Sequence, residues 1–391
     1  METYSRNCSV DIKHKPKLYE KYFPLNIDKY ITIQTKSGMP AKDYSWFSEV
    51  IDLLKPVLDK ENIRIVHLGQ DSQPLPHVIN LNNQTSIGQA TFILKKSLAH
   101  FGVDSWMAHY CASENVPVVS LYGSTTVANH SPYHFNPNKT IFLESHRNGN
   151  KATFAREENP KTVDLIYPEM IAKSVCELLN LKLDYPYNSV YVGQDFNKRV
   201  LESDCSVPIN IGNLGINNMI MRMDLNFNEQ VLIQQLQHSD CSIVTNLPIN
   251  PQILTQFKPK IKEFVYIINE NHKPEFVDVL QKLGLNYVLI SYLNQEELNP
   301  IKIDYLDFRQ IHPQPNLKTI KEIQHLKDKD VNNLYFKSNK FILSNTKIYP
   351  CVASWKADKP IKSVNPEIAP IINNDLFCRE LNNFLILEKC N

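Results

Sequence analysis

Short runs rich in β-branched residues alternate along the first half of the chain with longer stretches of helical periodicity. In the stretch 44–58, Phe47, Val50 and Leu54 fall on one helical face. This alternation is typical of a parallel sheet covered by helices, so we predict a Rossmann-like domain over residues 28–185. The predicted strands are 30–35, 63–69, 77–81 and 116–123, and the predicted helices are 44–58, 86–100 and one that begins after Pro168.

A turn-rich stretch at 182–190 predicts a linker, after which the alternation resumes. We therefore predict a second Rossmann-like domain over residues 190–391, with a hairpin at 333–350 and an irregular C-terminal extension. Residues 1–27 form a predicted N-terminal extension. The predicted strands are 218–225, 241–246, 263–269, 286–291 and 302–308, and the predicted helices are 228–237, 251–260 and 274–283. The fold class is α/β.

The charges almost cancel, since 42 Lys and Arg face 41 Asp and Glu. A net charge of +1 argues against capture of DNA or anionic membrane by the whole surface. No apolar run reaches the roughly 18–20 residues that span a bilayer, and the start of the chain is polar, so we predict a cytoplasmic protein. The eight cysteines are scattered singly, without the C-x-x-C spacing that zinc sites often have.

The loop after the first predicted strand carries hydroxyl groups and two lysines, and it leads into a helix. Thr35, Lys36, Ser37 and Lys42 provide these groups. Because a helix N-terminus presents free N–H groups, the loop is a candidate anion site. The spacing is not that of a P-loop.

A second group of candidates lies where a strand passes into a helix, at Asp104, Ser105 and, one helical turn later, His109. A hydroxyl-rich turn with Ser124 and Thr125 follows the next strand. The carboxyl ends of parallel strands share one edge of a sheet, and open α/β sheets bind ligands at that edge. We therefore expect both turns to face one ligand.

The order of these motifs resembles the donor-binding half of glycosyltransferase family 9, the heptosyltransferase-like enzymes with a GT-B fold. The resemblance covers roughly residues 28–182. It implies two Rossmann-like domains in a GT-B-like arrangement, a nucleotide-sugar donor and transfer without a metal or other cofactor. It further implies that Thr35, Ser37 and Lys42 hold the donor pyrophosphate, that Asp104 and Ser105 contact the donor sugar, and that His109 and Thr125 complete the pocket. The full set of expected donor-binding residues is Thr35, Lys36, Ser37, Lys42, Gly69, Asp104, Ser105, Trp106, His109, Ser124 and Thr125.

Three features depart from the family pattern. Trp106 stands where the family usually has glycine, and the donor domain comes first, so the domain order looks swapped. Ile216 occupies the position of the expected catalytic Asp in the stretch 207–218. A base must remove the acceptor proton, and Asp224 and Asp307 are the substitutes we predict, with Glu270 and Asp304 as further candidates.

The stretch 331–363 interleaves lysines with aromatic residues. Lys337, Lys340, Lys347 and Trp355 are therefore candidate acceptor or nucleic-acid contacts. The alternative is an edge hairpin that packs its aromatic side chains inward and leaves its lysines in water.

The sequence thus predicts a glycosyltransferase whose partners are a nucleotide sugar and a glycan, a lipid-linked saccharide or DNA. Two alternatives remain open: a DNA-base glycosyltransferase of the viral DNA-modifying kind, and an inactive sugar-nucleotide-binding or structural interaction protein. The oligomeric state is left open.

Overall fold

The computed structural model describes residues 17–70, 75–196, 198–210, 219–324, 326–363 and 367–390. The chain divides into two compact units, Met1–Ser189 and Val190–Asn391. Both units contain parallel sheets with helical crossovers, so the predicted α/β class is confirmed.

The first unit is built on a six-stranded parallel sheet in the order β3-β2-β1-β4-β5-β6. This is the strand order of the Rossmann fold. All the residues of β1, β4 and β5 are buried, as expected for strands with helices on both faces. The strands are β1 (Tyr30–Gln34), β2 (Arg64–His67), β3 (Ile79–Asn80), β4 (His100–Val103), β5 (Val118–Tyr122) and β6 (Thr140–Glu144).

The predicted helices of the first unit are present with changed boundaries, and the first one runs from Phe47 to Lys60. Ser86 caps the second helix with a capping box, and that helix ends at Lys96 instead of His100. His100 begins β4, where it pairs with Thr32 and Val118. The helices are α1 (Phe47–Lys60), α2 (Ile87–Lys96), α3 (Trp106–Ser113), α4 (Val127–His130) and α5 (Pro168–Leu178).

The order of the sheet reverses between β1 and β4, because the chain moves outward through β2 and β3 and then returns. Ligands in open α/β sheets bind at such a switch point. Gly102 lies at this place, and a Cβ atom there would be 2.4 Å from the carbonyl oxygen of Gln34. Only glycine lets the two backbones approach this closely.

The second unit contains an eight-stranded sheet in the order β13-β12-β11-β10-β9-β8-β15-β16. It is parallel except for β16, which pairs antiparallel with β15. Its strands are β8 (Val200–Ser203), β9 (Met219–Arg222), β10 (Cys241–Thr245), β11 (Ile261–Ile268), β12 (Tyr287–Ser291), β13 (Ile311–Pro313), β15 (Lys340–Ser344) and β16 (Lys347–Tyr349).

From β8 to β13 the strands follow one another in chain order without a reversal. Right-handed crossovers in one direction place the connecting helices on one face of the sheet. Residues such as Ile243, Phe264 and Leu289 form the main core of this unit, together with the buried side chains of the helices. The helices are α6 (Glu229–His238), α7 (Pro251–Phe257), α8 (Pro274–Lys282) and α9 (Gln295–Lys302).

A smaller sheet in the order β17-β14-β18-β7 and two short helices complete this unit. Phe336, Phe377 and Phe384 pack together in its core. Its strands are β7 (Tyr187–Val192), β14 (Leu334–Ser338), β17 (Ala369–Pro370) and β18 (Phe384–Lys389), and the helices are α10 (Val352–Lys356) and α11 (Asp375–Cys378).

Two predicted elements of the second unit are wrong. The stretch 302–308 is the end of α9 followed by a 3-10 turn at Ile303–Tyr305, because the capping box of Asn294 and Glu297 starts a helix whose last turn continues into it. The predicted hairpin 333–350 is divided between two sheets: β14 belongs to the small sheet, and β15 pairs with β8 and β16 in the large one.

Among the residues that the structure describes, no helix is both long and apolar enough to cross a bilayer. The Ile216 position lies outside the described residues.

Candidate functional site

A cavity of about 840 Å³ opens at the carboxyl edge of the first unit's sheet, beside the switch point between β1 and β4. The loop after β1, the end of β2 and the first residues of α2 and α3 surround it. It therefore combines a sheet edge with helix N-termini, both of which favour anionic ligands. The expected donor-binding residues that line it are Lys36, Ser37, Lys42, Gly69, Asp104, Ser105 and Trp106.

Hydrogen bonds within the loop after β1 fix its shape. Ser37 donates its backbone N–H to Asp43 Oδ1 at 2.8 Å and its hydroxyl to the Met39 carbonyl at 2.9 Å. The side chain of Gln34 donates to the Lys36 carbonyl at 3.0 Å. The exposed Lys36 side chain is thus carried on a rigid loop at the cavity wall.

Asp104 is the central charged group of the cavity, with 4 % of its surface exposed. Its Oδ2 accepts hydrogen bonds from Lys42 Nζ at 2.7 Å and from the Thr125 hydroxyl at 2.9 Å. His109 Nε2 lies 3.8 Å from its Oδ1. The tertiary structure therefore joins residues from three parts of the chain around one carboxylate.

Two opposing effects set the pKa of Asp104. Burial raises it, but the neighbouring His109, Lys42 and Thr125 stabilise the charged form and hold the pKa below its usual value. Asp104 is consequently ionised at neutral pH, and it orients the ammonium group of Lys42 at the cavity wall.

Ser105 and Trp106 stand at the start of α3. The Ser105 hydroxyl donates to the side-chain oxygen of Gln34 and does not cap the helix. Trp106 is 37 % exposed and lines the cavity. The indole replaces the glycine of the family pattern with a large aromatic wall.

Thr35 does not line the cavity, because its hydroxyl contacts His67 Nε2 at 3.0 Å. The amide nitrogen of Asn82 lies 2.9 Å from the other ring nitrogen, Nδ1. If this amide donates to Nδ1, the proton of the neutral ring is on Nε2, which then donates to the Thr35 hydroxyl. Burial lowers the pKa of His67 to about 4, and the ring is neutral at pH 7. This network holds the end of β1 against the end of β2.

The turn after β5 lies beside Asp104, and the side chain of Arg147 fixes its position. Arg147 donates from Nε to the Gly123 carbonyl and from an Nη to the Thr125 carbonyl, both at 2.7 Å. Ser124 is fully buried, and its hydroxyl has no partner among the described residues. Thr125 thus reaches the cavity through Asp104, whereas Ser124 and His109 do not line it.

Several other residues line this cavity that were not predicted from the sequence, including Gln34, Asp43, Ser86 and Arg156. Arg156 adds an exposed cation from an irregular segment far along the chain. No motif marks Arg156, although its carbonyl accepts the N–H of Ala41 and ties the segment to the loop after β1.

The two predicted base residues occupy different places in the second unit. Asp224 follows β9 at the carboxyl edge of the sheet, where both its oxygens accept hydrogen bonds from Arg222 at 2.7 Å. Asp307 precedes β13 and lines a separate cavity at the other end of the sheet with Arg309. The structure therefore does not bring Asp307 near Asp224.

The expectation of solvent-exposed lysines in the stretch 331–363 is wrong for Lys340, which is buried and ion-paired with Glu202 and Glu380. The reason is that β15 lies inside the large sheet. Lys347 is exposed and paired with Asp358 at 2.7 Å. Lys337 is half-buried on β14, and Trp355 donates its Nε1–H to Asp204 at 3.1 Å.

A family model for glycosyltransferase family 9 (heptosyltransferase) matches residues 11–163 of this chain. This part of the first unit is thus similar to glycosyltransferase family 9. The matched segment includes β1 to β5 and the cluster around Asp104, so the resemblance seen in the sequence is confirmed for this unit. A comparison with curated proteins gives no match.

Several solved structures are similar to part of the chain. A family 9 glycosyltransferase from Veillonella parvula DSM 2008 is 18% identical over 46% of this chain and 50% of its own, with a TM-score of 0.30. The ADP-heptose LPS heptosyltransferase II of E. coli is 17% identical over 46% and 51%, with a TM-score of 0.30. The iron-containing dodecameric glycosyltransferase TibC from enterotoxigenic E. coli H10407 is 14% identical over 44% and 50%, with a TM-score of 0.35. The chain spans about half the length of these structures.

Within the described ranges of the chain, no three His, Cys, Asp or Glu side chains are grouped closely enough to hold a metal ion. The charged groups that line the cavity of the first unit are lysine, arginine and aspartate side chains.

Proposed function

We propose that the protein is a glycosyltransferase and that its family 9 domain binds a nucleotide-sugar donor in the cavity beside β1 and β4. The observation that carries this proposal is the cluster of Lys42, Thr125 and His109 around Asp104 at the switch point of a Rossmann-type sheet. A Rossmann sheet binds phosphorylated ligands at this place.

The cations of the cavity suit a diphosphate. Lys36 and Arg156 are exposed at its wall, and the ammonium group of Lys42 lies at the wall where it is paired with Asp104. Sugar transfer leaves a nucleoside diphosphate that carries additional negative charge. Preorganised cations and helix N-termini stabilise that charge in the transition state, and this stabilisation requires no metal.

Asp104 and Trp106 are the proposed contacts of the donor sugar. A buried, ionised carboxylate accepts hydrogen bonds from sugar hydroxyls, and an indole face packs on the C–H groups of a sugar ring. Trp106 fills part of the cavity at the position where the family pattern has glycine. We therefore expect a donor sugar different from that of typical family members.

We further propose that the second unit supplies the acceptor. We do not propose DNA as the acceptor, because Lys340 is buried and Lys347 is paired with Asp358. Asp224 and Asp307 remain the predicted bases. Glu270 is the more accessible carboxylate, since it follows β11 at the carboxyl edge, is exposed and has no partner among the described residues.

The test is a calorimetric panel of nucleoside diphosphates and nucleotide sugars, followed by assay of diphosphate release for each donor that binds. Arg156→Ala should weaken binding of the best diphosphate by about tenfold, because it removes one charge-assisted contact. Arg64→Ala is the matched control, since Arg64 is an exposed arginine at the opposite, amino end of the same sheet. Binding of no nucleotide by the wild type, or equal losses in the two variants, would contradict the proposal.

A further inference from the structure

Each unit has a cavity at the carboxyl ends of its strands. The cavity of the second unit, about 770 Å³, lies over β9 to β12. Lys356 and Glu270 are both exposed at its wall, so its open charges favour no single class of ligand. The cavity of the first unit is bordered by a mostly irregular segment, residues 153–163, from which Arg156 reaches the wall. We call these residues the crossing segment.

Two hydrogen bonds attach the crossing segment to the ends of two different strands. Phe154 donates its backbone N–H to the Ser124 carbonyl, in the turn after β5, at 2.8 Å. Two residues later, the Arg156 carbonyl accepts the N–H of Ala41, in the loop after β1, at 3.0 Å. Since β4 lies between β1 and β5 in the sheet, residues 154–156 form a backbone bridge past the end of β4.

The dimensions of the sheet fit this bridge. Neighbouring strands are about 4.8 Å apart, so β1 and β5 are separated by about 10 Å. Two residues of extended chain span at most about 7 Å, and a hydrogen bond at each end supplies the rest of the distance. The bridge therefore has no slack to adopt another path between the same two carbonyl and N–H groups.

The backbone bridge runs beside the side chains that surround Asp104. Ala41 directly precedes Lys42, and Ser124 directly precedes Thr125. Lys42 and Thr125 are the residues that donate to Asp104 Oδ2. The same strand ends are thus joined twice, by these side chains and by the backbone bridge. A shift of the bridge consequently changes the spacing between the lysine and the threonine.

The rest of the crossing segment is fixed by contacts of its own. Glu158 accepts hydrogen bonds from the N–H of Thr162 at 2.9 Å and from its hydroxyl at 2.7 Å, and also from the Thr153 hydroxyl. A Cβ atom at Gly123 would lie 2.4 Å from the backbone nitrogen of Val163, so only glycine allows this approach. The crossing segment is therefore held on both sides of the bridge.

Phe154 begins the bridge in a left-handed backbone conformation, with a φ of 52°. Residues other than glycine rarely adopt this region, and they remain there only where the surrounding structure holds them, often at ligand sites. Burial of the ring does not account for it, because Phe154 is 46 % exposed and its ring contacts His130 at a centroid distance of 5.7 Å. The turn is closed by the N–H of Ala155, which donates to the Thr153 hydroxyl at 3.2 Å.

We propose that Phe154 is a positioning residue of the donor site. Its left-handed backbone sets the bridge, and the bridge holds Arg156 at the cavity wall and fixes the spacing between Lys42 and Thr125. The inference rests on the proposed function, since it concerns the same cavity. The backbone conformation at position 154 is the property required, and the aromatic ring is not.

The test is calorimetry of the full-length protein with ADP, GDP, CDP, UDP and dTDP, followed by variants titrated with the diphosphate that the wild type binds most tightly. Phe154→Val should weaken binding by about tenfold or more, because a β-branched residue disfavours the left-handed region. Phe154→Asn should bind within about twofold of the wild type, because asparagine adopts that region readily. Equal losses in the two variants, or no loss with valine, would overturn the inference.

Asn62 provides the matched control for backbone strain. It also has a left-handed backbone, with a φ of 56°, and it is exposed between α1 and β2, at the amino end of the same sheet. Asn62→Val imposes the same strain away from the cavity, so it should keep the wild-type affinity. A loss as large as that of Phe154→Val would show that general destabilisation weakens binding, and the positioning role would be wrong.

A double variant tests whether Phe154 acts through Arg156. If it does, the loss in Phe154→Val combined with Arg156→Ala should be clearly smaller than the product of the two single losses. A loss equal to that product would contradict the positioning role.

Hydrogen exchange of the wild type gives a measurement that does not depend on the folding of any variant. The amides of Ala41 and Phe154 should exchange more slowly when the diphosphate is bound, because a ligand held by Arg156 and Lys42 restrains both ends of the bridge. Unchanged exchange at both amides would overturn the inference.

The outcomes separate this inference from the proposed function. A wild type that binds none of the five diphosphates removes both. Diphosphate binding that is insensitive to Phe154→Val removes only the positioning role and leaves the donor site.

Discussion

The cavities of the two units have similar volumes, about 840 and 770 Å³, but their charged side chains are arranged differently. In the first unit, Lys36 and Arg156 are exposed at the wall, and only Lys42 is tied to a carboxylate. In the second unit, Arg222 and Lys340 are both enclosed by carboxylates, while Lys356 is exposed at the cavity wall. A cation that the protein has already neutralised attracts an anionic ligand less strongly, so the number of cations alone does not reveal the ligand.

The two sheets explain where each cavity forms. The first sheet reverses its order between β1 and β4, and the reversal opens a crevice at helix N-termini. From β8 to β13 the second sheet runs in one direction, so its crossover helices cover one face, and a cavity remains on the other. Helix N-termini favour phosphate, whereas the open face of a sheet provides apolar side chains.

The largest expected effect is on the buried ion pairs of Lys340 with Glu202 and Glu380 in the second unit. Lys340→Met leaves Glu202 and Glu380 buried without their shared cation, which should lower the free energy of unfolding by about 3–5 kcal/mol. Urea unfolding measures this change. The control is Lys347→Met, because Lys347 lies in the same segment but is exposed. Equal free energies of unfolding in the two variants would show that Lys340 does not stabilise the buried carboxylates of Glu202 and Glu380.

The next effect concerns Lys42, the cation of the first cavity that is paired with Asp104. Lys42→Met should weaken nucleoside-diphosphate binding by about 1–3 kcal/mol, the scale of a charge-assisted hydrogen bond. Asp104→Asn should retain that affinity, because it removes the carboxylate that competes for Lys42, but it should reduce sugar transfer. Calorimetry and a transfer assay separate the two roles. Parallel losses of affinity in both variants would contradict the division between phosphate and sugar contacts.

The smallest effect is a pH dependence in the first unit. The folded pKa of Asp104 is lowered, so its contribution to stability is present above the ordinary carboxyl pKa of about 4 and is lost as the pH falls through the folded value. The free energy of unfolding should therefore decrease less steeply on acidification in Asp104→Asn than in the wild type. Asp52→Asn, at an exposed position of α1, should show the slope of the wild type. Urea titrations at neutral and acidic pH provide the comparison.

The sequence by itself determined the α/β class of both units, because β-branched runs and helical periodicity depend on local burial alone. It also pointed to some of the residues that line the first cavity. Lys36, Ser37, Lys42, Asp104 and Ser105 stand at strand ends, and parallel strands bring those ends to one edge whatever their order.

Only the tertiary structure decided which of these groups neutralise each other. The pairing of Lys42 with Asp104 joins positions 62 residues apart, and Arg156 enters the cavity from a segment without a pattern. Lys340 was expected to be exposed, either as an acceptor or nucleic-acid contact or on an edge hairpin that leaves its lysines in water. The strand instead pairs with β8, far earlier in the chain, and that pairing buries the lysine between Glu202 and Glu380. Periodicity shows which face of a strand is apolar. The neighbour with which the strand pairs depends on contacts between distant parts of the chain, and here those contacts determined which charged side chains neutralise each other.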